Sequence, residues 1–230
     1  MGHAHRHMDD VAHAYEETIP AHVQEHYLKK RIAFIAKRLK QGTIVDVGCG
    51  TGLLAGKLRD QGYQALGVDE SFGMLKECLA QNTVACAHGD SARLPIQSNS
   101  VDAAICIAAM HHVVGLAEIQ DTLRDMLRIV KPGGWVLVWD HNPLNPYWPI
   151  FMKRLPQDQE ETRLVPLGEF IETLRESGVL QIEAHRLGLV PDFAPKALLW
   201  FFQALEWLVE RIPGLRVFCA HNVVVAVKGS

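Results

Sequence analysis

Val45-Asp46-Val47-Gly48-Cys49-Gly50-Thr51-Gly52 is the stretch that decides the fold of this 230-residue chain. An apolar, β-branched approach leads into three glycines at alternate positions, and helical composition resumes at Leu53. Together these features predict a strand, a tight turn and a helix. Glycines at alternate positions permit positive φ and let a ligand reach the backbone without meeting a Cβ. A turn that holds nothing would use glycine too, so the acidic residues nearby carry the distinction.

Working outward, β-branched apolar runs alternate with helical stretches. Strands are expected at 43–47, 64–68, 83–87, 101–107 and 135–139, and helices at 53–61, 72–80 and 116–130. Residues 9–40 read as helical with a break at Pro20, a cap ahead of the first strand. Two further strands are read at 179–187 and 217–227. Continuous apolar strands separated by helices imply an α/β fold, a doubly wound and mostly parallel sheet with helices on both faces. Seven strands are expected, the last of them antiparallel. One domain spans 1–230, with a core at 43–141 and substrate-side insertions at 142–166 and 189–214. Residues 1–8, rich in histidine, read as a purification tag before Met8, the alternative being a natural metal-binding tail.

The first strand-to-helix turn of such a sheet lies where ligands bind. A dinucleotide fingerprint starting at Gly48 would need glycine at position 53, and the chain has Leu53. Asp46, at the strand end, is ill placed beside a pyrophosphate but suits the ammonium of an amino-acid ligand. A nicotinamide-dependent oxidoreductase is disfavoured on both counts. Asp69, 17 residues past Gly52 in Gly67-Val68-Asp69-Glu70-Ser71, can accept hydrogen bonds from both hydroxyls of a ribose. Asp69 or Ser71 could instead cap the following helix.

After the third strand come His88-Gly89-Asp90-Ser91-Ala92-Arg93-Leu94-Pro95 and then Ser98-Asn99-Ser100-Val101-Asp102. With the glycine loop and Asp69, these segments resemble the class I S-adenosylmethionine-dependent methyltransferases. The likeness is to their small-molecule branch, which includes the quinone-biosynthesis enzymes, and it covers roughly 44–138. Ile96 and Val101 stand where that branch usually has phenylalanine. The resemblance implies S-adenosylmethionine as cofactor and S-adenosylhomocysteine as product. It implies a cofactor site of Asp46, Gly48, Cys49, Gly50, Gly52, Asp69, Glu70, Asp90, Ser91 and Ala108. Asp46 and the glycines would hold the methionine part, Asp69 the ribose, and Asp90 with Ser91 the adenine edge.

Methyl transfer needs donor and acceptor held in line, and needs a base only when the acceptor carries a proton. At the ends of the fourth and fifth strands stand Met110-His111-His112 and Asp140-His141. His111, His112 and His141 are the candidate bases, or else structural side chains, because histidine titrates near neutrality. No metal ligand set is read in them. Substrate contacts are expected from the Pro- and aromatic-rich stretch holding Tyr147 and Trp148, and from Trp200 in a helix-like run at 197–211 that is apolar on more than one face. That run needs a cover: the sheet, a second copy, a lipophilic acceptor or a membrane surface.

A net charge of −3 offers no overall footprint for nucleic acid or an anionic membrane surface, so a small-molecule acceptor is expected. Five cysteines without any C-x-x-C pair read as reduced thiols. No 18-residue apolar run and no secretory leader is read, which leads to expectations of no transmembrane segment, weak membrane-surface contact at most, and a cytoplasmic protein. The other class of function open to this sequence is a non-catalytic partner protein that binds the cofactor. The acceptor atom and the oligomeric state are not legible.

Overall fold

The computed structural model describes residues 4–81, 84–113, 115–148, 152 and 162–229. A seven-stranded sheet of order β3-β2-β1-β4-β5-β7-β6 forms the centre. The strands are β1 (Thr43–Val47), β2 (Gln64–Asp69), β3 (Ala85–His88), β4 (Val101–Ile107), β5 (Val130–His141), β6 (Gln181–Leu187) and β7 (His221–Val227). The first five are parallel, and β7 runs antiparallel to both β5 and β6. The expected doubly wound sheet with an antiparallel last strand is the observed one.

The helices are α1 (Ala4–Val11), α2 (Ala21–Ala36), α3 (Leu53–Asp60), α4 (Phe72–Ala80), α5 (Leu116–Ile129), α6 (Leu167–Glu176) and α7 (Leu199–Val209). The predicted bounds of β1, β4 and α4 match the observed ones, because their apolar runs are sharply bracketed. Strand β5 is longer than the predicted 135–139. Its first residue, Val130, pairs with Val101, and the register shifts before Ala103 pairs with Trp135. The irregularity absorbs Lys131-Pro132-Gly133-Gly134, which reads locally as a turn. Thr83, the start of the predicted third strand, lies outside the described residues. Helix α6 was not anticipated: Phe170, Thr173 and Leu174 are a short buried stripe that periodicity alone did not separate from the preceding loop.

One cluster on each face of the sheet makes the core. Val45, Val136 and Val138 pack with α5 and α6 through Leu123, Met126 and Phe170. Ile44, Ile105 and Leu137 pack on the other side with α2 and α3 through Ile35 and Leu58. Asp102 binds β1 to β5 at the far end, accepting from the Thr43 backbone N–H (2.7 Å) and from the Lys131 ammonium (2.7 Å). Since β1 lies between β2 and β4, the chain turns from one half of the sheet to the other at the carboxyl end of β1. A crevice opens there.

Candidate active site

The glycine loop leaves β1 at that crevice. Gly48, Gly50 and Gly52 have φ of 72°, 55° and 77°, the left-handed region. A Cβ on Gly48 would lie 2.6 Å from the Cβ of Ala109, so this glycine is demanded by space as well as by dihedral. The N–H groups of Gly48 and Cys49 bond back to the Val68 carbonyl at 2.8 and 3.2 Å, tying the loop to β2. Asp69 accepts from the Gly50 N–H (2.7 Å) through one carboxylate oxygen and from the Ser71 N–H (2.9 Å) through the other. Ser71, not Asp69, is the N-cap of α4, its hydroxyl accepting from Met74 N–H.

Glu70 accepts from the Ser91 N–H at 3.0 Å, Asp90 from the Ala92 N–H at 2.7 Å, and the Ser91 hydroxyl meets that of Thr122 at 3.2 Å. These bonds brace the loop after β3 beside the end of β2. The amino-terminal segment closes over the other side. Asp9 accepts from Ser71 and from the Gly73 N–H, while Glu16 bonds Thr51 and Gln24.

Asp46, Gly48, Cys49, Gly50, Ala108, His111, His112, His141 and Trp148 line one cleft, along with Tyr15, Tyr27, Arg31, Asp192 and His221. Ala108 is a non-glycine residue at φ 54°, a strained conformation fixed by its N–H bond to the Trp139 carbonyl (2.8 Å). Asp46 is buried at the floor. Burial, aided by the nearby Asp69 carboxylate, pushes its pKa up to about 8, with Arg31 opposing. Arg31 extends from α2 into the cleft, and its Nε is buried without a hydrogen-bond partner among the described residues. Burial lowers its pKa, but a guanidinium stays charged at neutral pH. A guanidinium and a carboxyl group that a bound ammonium would ionise thus line the same cleft without each other as a hydrogen-bonded partner, an arrangement that suits a zwitterion.

On the far side, Asp140 is buried and receives three bonds: from His111 Nδ1 at 2.7 Å, from the His111 N–H at 2.9 Å and from the His141 N–H at 2.6 Å. Burial alone would raise its pKa, but the attraction of His111 and these bonds outweigh it and hold the carboxyl below the usual range. Because a carboxylate only accepts, Nδ1 of His111 carries a proton and Nε2 is its basic nitrogen. His141 stacks on Trp148, ring centroids 3.6 Å apart. Its pKa lies well below 6.5, first through burial and then through the surrounding His111 and His221; that of His221 falls to about 3 through burial and Arg31. Both are neutral at physiological pH. His111, Asp140 and His141 come within 4.8 Å, close enough for a shared cation. The Asp140 oxygens are already engaged by three N–H donors, so the set reads as a hydrogen-bonded dyad with a neighbouring imidazole.

Trp148 is held by its indole N–H on the Ala220 carbonyl, and the loop leading to it is tied down by Asn142 and Asn145, which donate to the Val217, Cys219 and Phe218 carbonyls. Tyr147 lies just outside the cleft, its hydroxyl 3.2 Å from Asp192. Trp200 does not join them. It is 68% exposed on the outer side of α7, because the inward stripe of that helix falls on Leu199, Phe202 and Glu206 instead. Arg31, Tyr27, Asp140, Asp192 and His221 were missed by sequence reasoning. Only Asp140 carried a readable signal, an acid at a strand end beside a histidine.

A family model described as a methyltransferase domain matches residues 45–138. Residues 45–138 therefore match the methyltransferase domain that the glycine loop and the acidic strand ends implied. Among curated relatives, the chain is 32% identical to demethylmenaquinone methyltransferase of Paenarthrobacter aurescens over 52% of the chain and 47% of the relative. It is 30% identical to the mouse tRNA (carboxymethyluridine(34)-5-O)-methyltransferase ALKBH8, over 60% of the chain and 19% of that protein. The chain thus spans half or less of the length of these relatives. The fold of the chain matches that of a Thermotoga maritima S-adenosylmethionine-dependent methyltransferase with TM-score 0.73 at 19% identity, covering 98% and 100% of the two chains. It also matches Haemonchus contortus phosphoethanolamine N-methyltransferase 2 bound to phosphomonomethylethanolamine and S-adenosylhomocysteine, with TM-score 0.64 at 22% identity over 96% and 58%. Among the described residues, no helix is long and apolar enough to cross a membrane.

Proposed function

We propose that this methyltransferase methylates a small-molecule acceptor, with His111 as the base that takes the acceptor's proton and Asp140 holding His111 in the required tautomer. The observation that carries this reading is the buried His111–Asp140 dyad on the same cleft as the glycine loop. S-adenosylmethionine supplies an electrophilic methyl on a sulfonium. Asp46 pairs with its ammonium, Arg31 with its carboxylate and Asp69 with its ribose hydroxyls, while the loop braced by Glu70, Asp90 and Ser91 borders the adenine. The glycine backbone lies against the methionine part. His141 and His221, being neutral, add no positive charge beside a cationic donor. Trp148, stacked on His141, gives the acceptor a flat apolar wall and excludes water. His112 lines the same wall, and Tyr147 steadies Asp192 at its edge.

The likeness to a tRNA methyltransferase supports a second reading, an RNA acceptor. Against it stand the net charge of −3 and the cover of the loop by the amino-terminal segment. Incubation with methyl-labelled S-adenosylmethionine, a small-molecule extract and bulk tRNA separates the readings. Label in the small-molecule fraction is expected. Label in tRNA overturns the choice of acceptor, and binding of S-adenosylhomocysteine with no transfer to either pool favours a non-catalytic partner protein.

A further inference from the structure

Helix α7 is apolar on the wrong side. Its inward stripe, Leu199, Phe202, Glu206 and Val209, packs on α2 and the segment after β6 at ordinary helical spacing. The rest of a surface helix is normally polar. Here Trp200, Phe201, Leu205, Trp207 and Leu208 are 37% to 68% exposed, and the apolar surface continues through Ile212, Leu215 and Phe218.

The charges on this element are sorted in the same direction. Its two acids turn inward: Glu206 accepts from His26 and Lys30, and Glu210 from Lys30 and the Gly188 N–H. The exposed charges are Lys196, Arg211 and Arg216. Among the described residues, neither arginine forms an ion pair with a carboxylate, while Lys196 lies near Glu25 and attracts it. The Arg211 guanidinium lies 3.9 Å over the Trp207 ring, and Arg216 donates to the Glu210 carbonyl. Although the whole chain carries a net charge of −3, this apolar face is edged locally by Arg211 and Arg216, with tryptophans between, and so matches the interface of a negatively charged bilayer, where aromatic rings sit at headgroup depth and arginines meet lipid phosphates. A second copy fits less well, because a two-fold contact through this face would bring its arginines together with no acid between them.

We propose that the outer face of α7 and the turn after it dock this protein on the surface of an anionic lipid bilayer. Docking leaves the cleft one helix away from the lipid, since α2 gives His26 and Lys30 to α7 and Tyr27 and Arg31 to the cleft.

Co-sedimentation of the full chain with vesicles of phosphatidylcholine, and of phosphatidylcholine with phosphatidylglycerol, tests this. Partitioning at least about tenfold stronger to the anionic vesicles is expected, weakening with salt. The double variant Trp200→Ser, Trp207→Ser should lose binding to both kinds of vesicle while keeping its melting temperature and S-adenosylhomocysteine affinity, because both rings are exposed. The double variant Arg211→Glu, Arg216→Glu should lose the anionic preference. No partitioning of the wild type overturns the proposal. So does a wild-type dimer, seen by light scattering, that dissociates in the tryptophan variant without any vesicle binding.

Discussion

With its pKa raised to about 8, Asp46 is mostly protonated in the unliganded site at neutral pH. At about pH 7, one unit below that value, roughly one molecule in ten has the carboxylate that an ammonium needs, a penalty of ~1.4 kcal/mol on binding. The sign follows from which form binds. The ionised form is selected, so affinity rises with pH up to the pKa of the free site and then levels. Calorimetric titration with S-adenosylhomocysteine should show the dissociation constant falling about tenfold between about pH 6 and pH 7, and by less toward pH 8. Repeated in buffers of different ionisation enthalpy near pH 7, it should show close to one proton released per ligand bound. Asp46→Asn should bind more weakly and abolish the release. Constant affinity from about pH 6 to 8 with no proton released would refute the reasoning: the ligand's ammonium would not meet Asp46, or burial would not control its charge.

Three further outcomes are expected. Asp69→Ala should weaken S-adenosylhomocysteine more than about tenfold while the thermal melt stays cooperative, because Ser71 still caps α4; unchanged affinity would remove Asp69 from the ribose site. Gly48→Ala should abolish measurable cofactor binding, as its Cβ would press on Ala109 in a left-handed backbone; normal binding by calorimetry would reduce the loop to a turn. Asp140→Asn should lower turnover by about a hundredfold or more with little change in cofactor affinity, and a rate equal to wild type would leave His111 without a catalytic role.

What could be read ahead was whatever one local rule controls. Apolar runs bracketed by turn residues gave β1, β4 and α4, and the missing glycine at Leu53 removed the dinucleotide reading. The acidic positions Asp46 and Asp69 were visible because each ends a strand at a known place in the sheet. The acceptor side was less legible because its members meet only in three dimensions. Arg31 comes from α2, Asp192 from the segment after β6, and His221 from the start of β7 beside His141. Nothing in the surroundings of Arg31 in sequence marks it as buried. The side on which Trp200 lies was not legible either: a run apolar on more than one face leaves its inward stripe open, and in α7 that stripe is filled by Leu199, Phe202, Glu206 and Val209, with Trp200 outside.

A crystal structure of the complex with S-adenosylhomocysteine tests the cofactor site most directly. The prediction is an ammonium on Asp46, a carboxylate on Arg31, ribose hydroxyls on Asp69 and a sulfur facing the wall of His111 and Trp148. A ligand whose amino-acid part leaves Asp46 and Arg31 untouched, or whose sulfur faces away from His111, would contradict it.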